Sequence, residues 1–389
     1  MKTVVESTDQ SQEAGSPRGV DVRVVSGSKN WIESEAIRQL DATSQLEGML
    51  KAVGFPDLHP GKGSPVGAAF VTEEMIYPYV IGGDIGCGMG FFQTDLLRRK
   101  ARLDRWSEKL HDLEHPWDGN VQQWLSSAQL PSCHFDSALG TIGGGNHFAE
   151  LQAVDRVEDR GEFEKLGLNK ENLFILVHSG SRGLGESLLR EFVVDHGSNG
   201  VRADSLSGSV YLNGHDRAVR WGEANRSLIA HRFASALGAT NSLVWDGCHN
   251  SVSRRELGGN IVWLHRKGAA PADAGIAMIP GSRGTRSYLM KSRGDMAEFA
   301  WSLSHGAGRK WSRSESRKRI RERFRPAELV QTGLGGRVIC ENRDLLYEEA
   351  PDVYKKIEIV VQDLVDAGCI SVIATFKPLI TYKTRAIRR

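Results

Sequence analysis

Cysteine is scarce in this chain, and its five copies show no sign of pairing. Cys87, Cys133, Cys248, Cys340 and Cys369 are odd in number, and no two stand in a CxxC spacing. That argues against a disulfide framework or a zinc knuckle and favours a reducing, cytoplasmic setting. Long apolar runs are also missing. None reaches the ~18 residues of a membrane span, and the N-terminus lacks the apolar stretch of a secretory leader, so no membrane partner is expected. Charge of one sign is absent too: 50 Lys and Arg stand against 48 Asp and Glu, a net of +2. Global charge therefore does not announce a polyanion, and local charge has to carry that argument. No Gly-Lys-Ser/Thr phosphate loop and no strand–GxGxxG–helix unit occurs, so a nucleotide needs a pocket of another kind. No fixed-period repeat and no low-complexity linker divides the 389 residues, which excludes a solenoid and gives no support to two domains.

What the chain has in excess is glycine, 43 of 389 residues, concentrated in short motifs and not in a linker. Six motifs stand out: Gly82-Gly83-Asp84-Ile85-Gly86-Cys87-Gly88-Met89, Gly143-Gly144-Gly145-Asn146-His147, His178-Ser179-Gly180-Ser181-Arg182-Gly183, Cys248-His249-Asn250, Pro280-Gly281-Ser282-Arg283-Gly284-Thr285 and Ser304-His305-Gly306-Ala307-Gly308-Arg309. Five carry a metal ligand or nucleophile. Asp84 and Cys87, three apart in a glycine turn, can reach one metal. Cys87 alone reads equally well as an inert buried thiol. His178 and His249 each end an apolar run, Leu173–Val177 and Ser242–Trp245. Three histidines placed this way beside Asp84-x-x-Cys87 are hard to explain as core packing. A mixed N/S/O set suits Zn, Mn, Fe or Co, with zinc the default for Cys and His. The Ser-Gly-Ser-Arg-Gly loop after His178 offers backbone N–H groups, hydroxyls and Arg182 to a phosphate. His305 reads as a further ligand, a general base or a nucleophile toward phosphorus. After it comes a basic run, Arg309 to Arg325, which is either a solvated helix face or a polyanion path.

Residues 1–19 are polar and read as a mobile tail, leaving 20–389 as one catalytic domain. Val20–Val25, Ala68–Val71, Met75–Ile81, Leu173–Val177, Ser242–Trp245, Ile261–Leu264 and Ile276–Ile279 read as strands. Helices are expected near 32–50, 101–112, 184–196, 216–237, 295–303 and 353–366, and Gly54–Gly67 reads as a loop. The fold class is α+β, a single large domain with a mixed β-sheet core and surrounding helices.

From about Phe55 to Lys383 the motif set resembles the RtcB family of GTP-dependent RNA ligases. The elements that carry the likeness are Pro56–Gly63, Gly83–Met89, Gly144–Phe148, His178–Gly185, His249-Asn250, Pro280–Thr285 and His305–Arg309. Their order makes the resemblance specific, although any one alone is weak. It implies an RtcB-like fold and two Mn²⁺ ions, with Cys87 bridging and Asp84, His147, His178 and His249 completing the shells. It implies that His305 takes GMP from GTP as a covalent histidine–guanylate and passes it to an RNA 3′-phosphate. A 5′-hydroxyl RNA end then attacks and releases GMP, and a 2′,3′-cyclic phosphate is first opened. Asn146 and Glu150 match positions near the triphosphate. Ser282, Ser287, Tyr354 and Lys383 match positions around the guanosine, and Gly306 and Gly308 flank the nucleophile. Arg182 and Arg309 are candidates for the RNA itself. Asp57, His59 and Lys62 belong to a family motif without a clear role.

The chain departs from the family pattern at Arg283 and Arg286, which stand where Met and Ala are common, and in the density of its basic run. These departures suggest a divergent branch, of the kind found with a release-factor-like partner, and leave both nicked ribosomal RNA and tRNA halves as substrates, in RNA repair or tRNA splicing. A dinuclear-metal phosphohydrolase is the alternative, needing the cluster but not His305 as carrier. An RNA-binding protein would need only the basic run.

Overall fold

The computed structural model describes residues 19–385, so all but the last residue of the 1–19 tail lies outside the described residues. Two sheets stack face to face. The smaller runs Asp21–Val24, Met49–His59, Val66–Thr72, Asn260–Lys267, Asn250–Leu257, with the first pair parallel and the rest antiparallel. The larger runs Ile276–Ile279, Ser287–Ser292, Ile370–Thr384, Phe148–Val157, Asn172–Ser179, Gly88–Leu97, Asn241–Cys248. Arg337–Cys340 pairs in parallel with the far end of Ile370–Thr384.

Side-chain alternation explains the layering. In Asn172–Ser179, Phe174 and Leu176 join Phe91, Val53, Phe55, Val71 and Leu264 in the core between the sheets. Leu173, Ile175 and Val177 point the other way and join Ile229, Ala230 and Phe233 of the helix Leu206–Ala236. Both faces are covered, so the strand reads as an unbroken apolar run. No helix among the described residues is long and apolar enough to cross a membrane.

Several expected elements differ. The helix at 32–50 is shorter, Ser34–Ser44, and Met49–His59 is a strand. The expected Gly54–Gly67 loop shrinks accordingly, because Phe55 and Leu58 are buried and a register irregularity between Gly54 and His59 accommodates Pro56. Met75–Ile81 is a two-residue strand followed by the helix Pro78–Ile81, where Pro78 sits in the first turn and needs no N–H partner. The helix expected at 295–303 is only the 3₁₀ turn Met296–Phe299. Left-handed Ala300 and Trp301 then break it and launch the strand Ser302–Ser304. The 216–237 helix begins earlier, at Leu206, where the Ser205 hydroxyl accepts from the Gly208 N–H.

Candidate active site

The larger sheet brings four distant segments to one place. Gly88–Leu97 pairs on one side with Asn172–Ser179 and on the other with Asn241–Cys248. Cys87, His178 and His249 are therefore neighbours across adjacent strand ends. Phe148, which pairs with His178, brings His147 beside them.

Buried side chains on the long helix hold these ends in register. Arg226 makes a paired contact with Asp246 (Nε–Oδ2 2.7 Å, Nη2–Oδ1 2.5 Å). Its Nη1 donates to the carbonyls of Gly86 (2.7 Å) and Ser179 (2.9 Å). Asn225 next to it accepts from the Gly140 N–H (2.7 Å) and donates to the carbonyls of Thr141 and Gly180. Gly180 must be glycine, since a Cβ there would lie 2.9 Å from both Asp84 Oδ1 and Cys87 Cα. Arg226 and Asn225 were not singled out in the sequence. A polar pair inside an otherwise apolar helix face was the available signal.

The five expected metal ligands converge. Cys87 Sγ lies 3.3 Å from His147 Nε2 and 3.2 Å from His178 Nε2. His147 Nε2 is 3.3 Å from Asp84 Oδ2, and His178 Nε2 is 3.3 Å from His249 Nε2. All but Asp84 are buried, and its side chain is 45% exposed at the rim. His147 Nδ1 is 3.1 Å from the Ile142 carbonyl, which can only accept. Nδ1 therefore carries a proton, and Nε2 is the ring nitrogen turned to Asp84 and Cys87. Burial, reinforced by neighbouring histidines, holds His178 and His249 well below the usual imidazole range, so both are neutral. Buried imidazole nitrogens and a thiol converging within 3.3 Å offer a ready donor set to a cation. Burial, with the Asp84 charge, pushes the Cys87 thiol well up, so only a bound cation makes it a thiolate. The donor set fits a metal. Cys87, His147 and His178 form its compact centre, with Asp84 at one end and His249 at the other.

His305 lies against this cluster, its ring centroid 4.9 Å from that of His249. The fully buried Asp57 holds it: Oδ2 accepts from His305 Nδ1 (2.7 Å) and from the His305 N–H (3.1 Å). Burial is the largest single influence on Asp57 and opposes its charge, but the hydrogen bond and charge of His305, with smaller help from His59 and Ser304, together outweigh it and hold the carboxyl below its ordinary value. Nδ1–H therefore points at Asp57, which leaves Nε2 as the ring nitrogen not engaged by it. Gly308 allows this packing, with φ +71° and a hypothetical Cβ only 2.5 Å from the Asp57 carbonyl. His59 contributes no ligand. Its ring sits 2.9 Å from the Asp57 carbonyl, and burial lowers its pKa to about 4.

A cavity of about 250 Å³ opens beside His305 and His178. Asn146, Glu150, Ser282, Gly306, Gly308, Tyr354 and Lys383 all line it. Ser287 does not. It is buried behind the wall, where Gln152 Nε2 bridges it (2.9 Å) to Glu150 (2.6 Å). Thr381 also donates to Glu150, whose pKa burial raises to about 7. Glu150 thus sits in one network with Ser287 and feels Lys383. Lys383 Nζ is 3.7 Å from Glu349. Glu349 also accepts from Tyr354 and from Arg309 Nη1 (2.9 Å). The Arg309 guanidinium covers one face of Tyr354, 5.4 Å from the ring centroid.

Arg309 therefore belongs to the cavity wall, with further bonds to Ser316, Trp311 and Glu348, and has little left for RNA. Arg182 makes one hydrogen bond, to Thr141 (3.4 Å), and lies against Gly143 near the metal ligands. Arg283 is buried, with Nη2 on the Leu346 carbonyl and Nη1 unpartnered, whereas Arg286 is spent on Asp155 at the surface. Much of the basic run is also neutralised: Arg317 and Arg321 pair with Asp344, Arg323 with Asp352 and Arg319 with Glu315.

The chain matches the family model described as tRNA-splicing ligase RtcB over residues 39–128 and 107–384. It is 45% identical to the RNA-splicing ligase RtcB2 of Escherichia coli, covering 91% of this chain and 93% of that protein. RtcB1 of the same strain is 27% identical, over 90% of this chain and 95% of its own. The tRNA-splicing ligase RtcB of Thermococcus kodakarensis is 26% identical, over 89% and 90% respectively. The family model and the relatives span the same segments that assemble the thiol, the imidazoles and the cavity, and the chain belongs to the RtcB family of RNA ligases.

Proposed function

We propose that this chain joins an RNA 3′-phosphate, or an opened 2′,3′-cyclic phosphate, to a 5′-hydroxyl end, with His305 as the covalent carrier of GMP. The observation that carries the reading is His305 itself, clamped through Nδ1 by Asp57 and facing both the ligand cluster and the cavity. Its free Nε2 attacks the α-phosphorus of GTP. An N–P bond forms, the α–β phosphoanhydride breaks, and pyrophosphate leaves. The guanylate then passes to the RNA 3′-phosphate, which frees Nε2. Attack by the 5′-hydroxyl forms the phosphodiester and releases GMP.

Cys87, shared between Asp84 and His147 on one side and His178 and His249 on the other, suits two cations. Divalent ions there would neutralise phosphate charge and orient the α-phosphorus. Manganese is our assignment from the family resemblance, since the donor set alone also admits Zn, Fe or Co. Guanine is favoured over adenine because it offers N–H donors beside a carbonyl acceptor. Glu150 can take the donors and Lys383 can serve the acceptor. We assign Asn146, on the cavity wall, and Arg182, beside Gly143, to the phosphates. The higher identity to RtcB2 than to RtcB1 supports a divergent branch; a nicked ribosomal RNA substrate and a release-factor-like partner are our assignment from the family resemblance. Five unpaired cysteines agree with a cytoplasmic setting.

The test is incubation with α-labelled GTP and Mn²⁺, followed by a denaturing gel. Acid-labile label on the wild type, absent in His305→Ala, is the expected result. Label retained in that variant defeats the histidine assignment. Phosphate release without any protein label points to the hydrolase alternative.

A further inference from the structure

Besides the cavity, a second groove of about 720 Å³ runs along the same face, and the two share His59, Arg309 and Arg313. The groove is built from the Pro60–Lys62 turn, the start of the basic helix Arg313–Arg323, and Trp31. Trp31 is 60% exposed, the one exposed tryptophan of nine. Opposite the turn, Trp311 carries Arg319 over its ring at 4.7 Å and Lys310 at 5.8 Å. Pairing uses up much of the basic run, including Arg309 and Arg319 of this groove, but not all of its cations. Among the described residues, the Arg313 guanidinium and the Lys62 ammonium make no protein hydrogen bond or ion pair. Arg313 lines both the cavity and the groove. The acidic groups here are Glu315, already held by Arg319 (2.6 Å), and Glu33.

Unpaired cations interleaved with an open aromatic face suit a single-stranded nucleic acid. The cations follow the backbone, and a base stacks on the ring whatever its identity. We infer that this groove carries the RNA strand that ends in the 3′-phosphate. The terminal phosphate meets Arg313 at the junction with the cavity, and a base of the preceding nucleotides stacks on Trp31. A terminal phosphate monoester is the more highly charged end, and a guanidinium without a partner at the junction matches it. The 5′-hydroxyl end carries no such group. This inference rests on the ligase reading above, which supplies the reason for a 3′-phosphate to enter the cavity.

The experiment is equilibrium binding of a short 5′-fluorescein single-stranded RNA, ending in 3′-phosphate or 3′-hydroxyl, to the full chain by fluorescence anisotropy at fixed salt. The variants are Trp31→Ala and Trp31→Phe, and guanylate labelling of His305 is measured in parallel. Trp31→Ala is expected to weaken 3′-phosphate RNA roughly five- to hundred-fold, with Trp31→Phe restoring most of it. Melting and labelling should be unchanged, because Trp31 is exposed and away from the nucleophile. Wild-type protein should prefer the 3′-phosphate RNA. Equal binding by wild type and Trp31→Ala overturns the groove, and equal wild-type affinity for both RNA ends overturns the strand assignment. Absence of label in the wild type strikes the ligase reading instead, and the Trp31 comparison still decides the groove.

Discussion

Asp57→Asn separates a positioning role from a merely structural one. In the protein, one carboxylate oxygen takes two hydrogen bonds from His305, at 2.7 and 3.1 Å, and the other oxygen is buried without a partner. Asparagine keeps the shape but loses the charge. Its carbonyl can still accept from Nδ1–H, but the amide then lies where Oδ1 was, a buried donor with nothing to bond. As Nε2 attacks phosphorus, the imidazole gains positive charge. A carboxylate about 4 Å from that charge, at an effective dielectric of ~20, is worth ~4 kcal/mol for a full charge. With between half and all of the charge developed, removing it costs about 30- to 1000-fold in rate. The assay is single-turnover transfer of label from α-labelled GTP to the protein. GTP binding by calorimetry, with the covalent step blocked by a non-transferable analogue, should change by less than about threefold. A general folding lesion would damage binding and transfer together. If Asp57→Asn labels at the wild-type rate with an intact melt, the clamp on His305 is not part of the chemistry and this reasoning fails.

Cys87→Ser replaces the shared thiolate with a hydroxyl that does not ionise. Metal content by elemental analysis should fall below that of the wild type, for which the proposed pair of ions predicts two per chain, and unchanged stoichiometry would refute the shared ligand. Glu150→Gln tests a pH effect. The folded carboxyl titrates near 7, above its unfolded value of 4.5, so its favourable contribution is complete below pH 4.5 and disappears as pH rises to about 7. Urea melts at pH 8 should show the Gln variant gaining up to roughly 3 kcal/mol relative to its difference at pH 4.5. Parallel pH curves for the two proteins would contradict the burial argument. Arg226→Met strands Asp246 and two carbonyls inside the protein and should cost about 3–5 kcal/mol in denaturant unfolding. A loss under about 1 kcal/mol would mean that the clamp on the Cys87 and His178 segments is dispensable.

The chemistry of the site was more legible in the sequence than the architecture that assembles it. Asp84, Cys87, His147, His178 and His249 announce themselves because ligand side chains beside glycine turns at the ends of apolar runs have few other uses. The fold class was legible for a similar reason: strands such as Asn172–Ser179, buried on both faces, are continuous apolar runs. Strands with mixed surroundings were not. Phe148–Val157 and Ile370–Thr384 put Glu150, Gln152, Thr381 and Lys383 into a buried polar network, which breaks the apolar signal over the stretch that forms the cavity wall. Asp57 was obscured by its neighbours. Pro56, Pro60 and flanking glycines read as a loop, whereas tertiary packing of Phe55 and Leu58 extends a strand through them. The basic run misled in the opposite direction. Its partners Asp344, Glu349 and Asp352 lie far enough along the chain that local charge counting cannot cancel them.

The same geometry implies that a bound cation would be part of the folded structure. Asp84 Oδ2, His147 Nε2, Cys87 Sγ, His178 Nε2 and His249 Nε2 succeed one another at 3.2–3.3 Å, and neutral protonation states cannot place a hydrogen in every gap. The His147 proton is already committed to the Ile142 carbonyl. Arg226, Asn225 and the glycines that permit close approach hold these acceptors together against their mutual repulsion. That strain is relieved when a cation occupies the gap, so binding energy is returned to the fold. His305, its ring held 4.9 Å from that of His249, shares the rigidity of the cluster. The alternative, a loose site that gathers around metal, would not need a buried guanidinium spanning Gly86, Ser179 and Asp246 to pre-set the spacing.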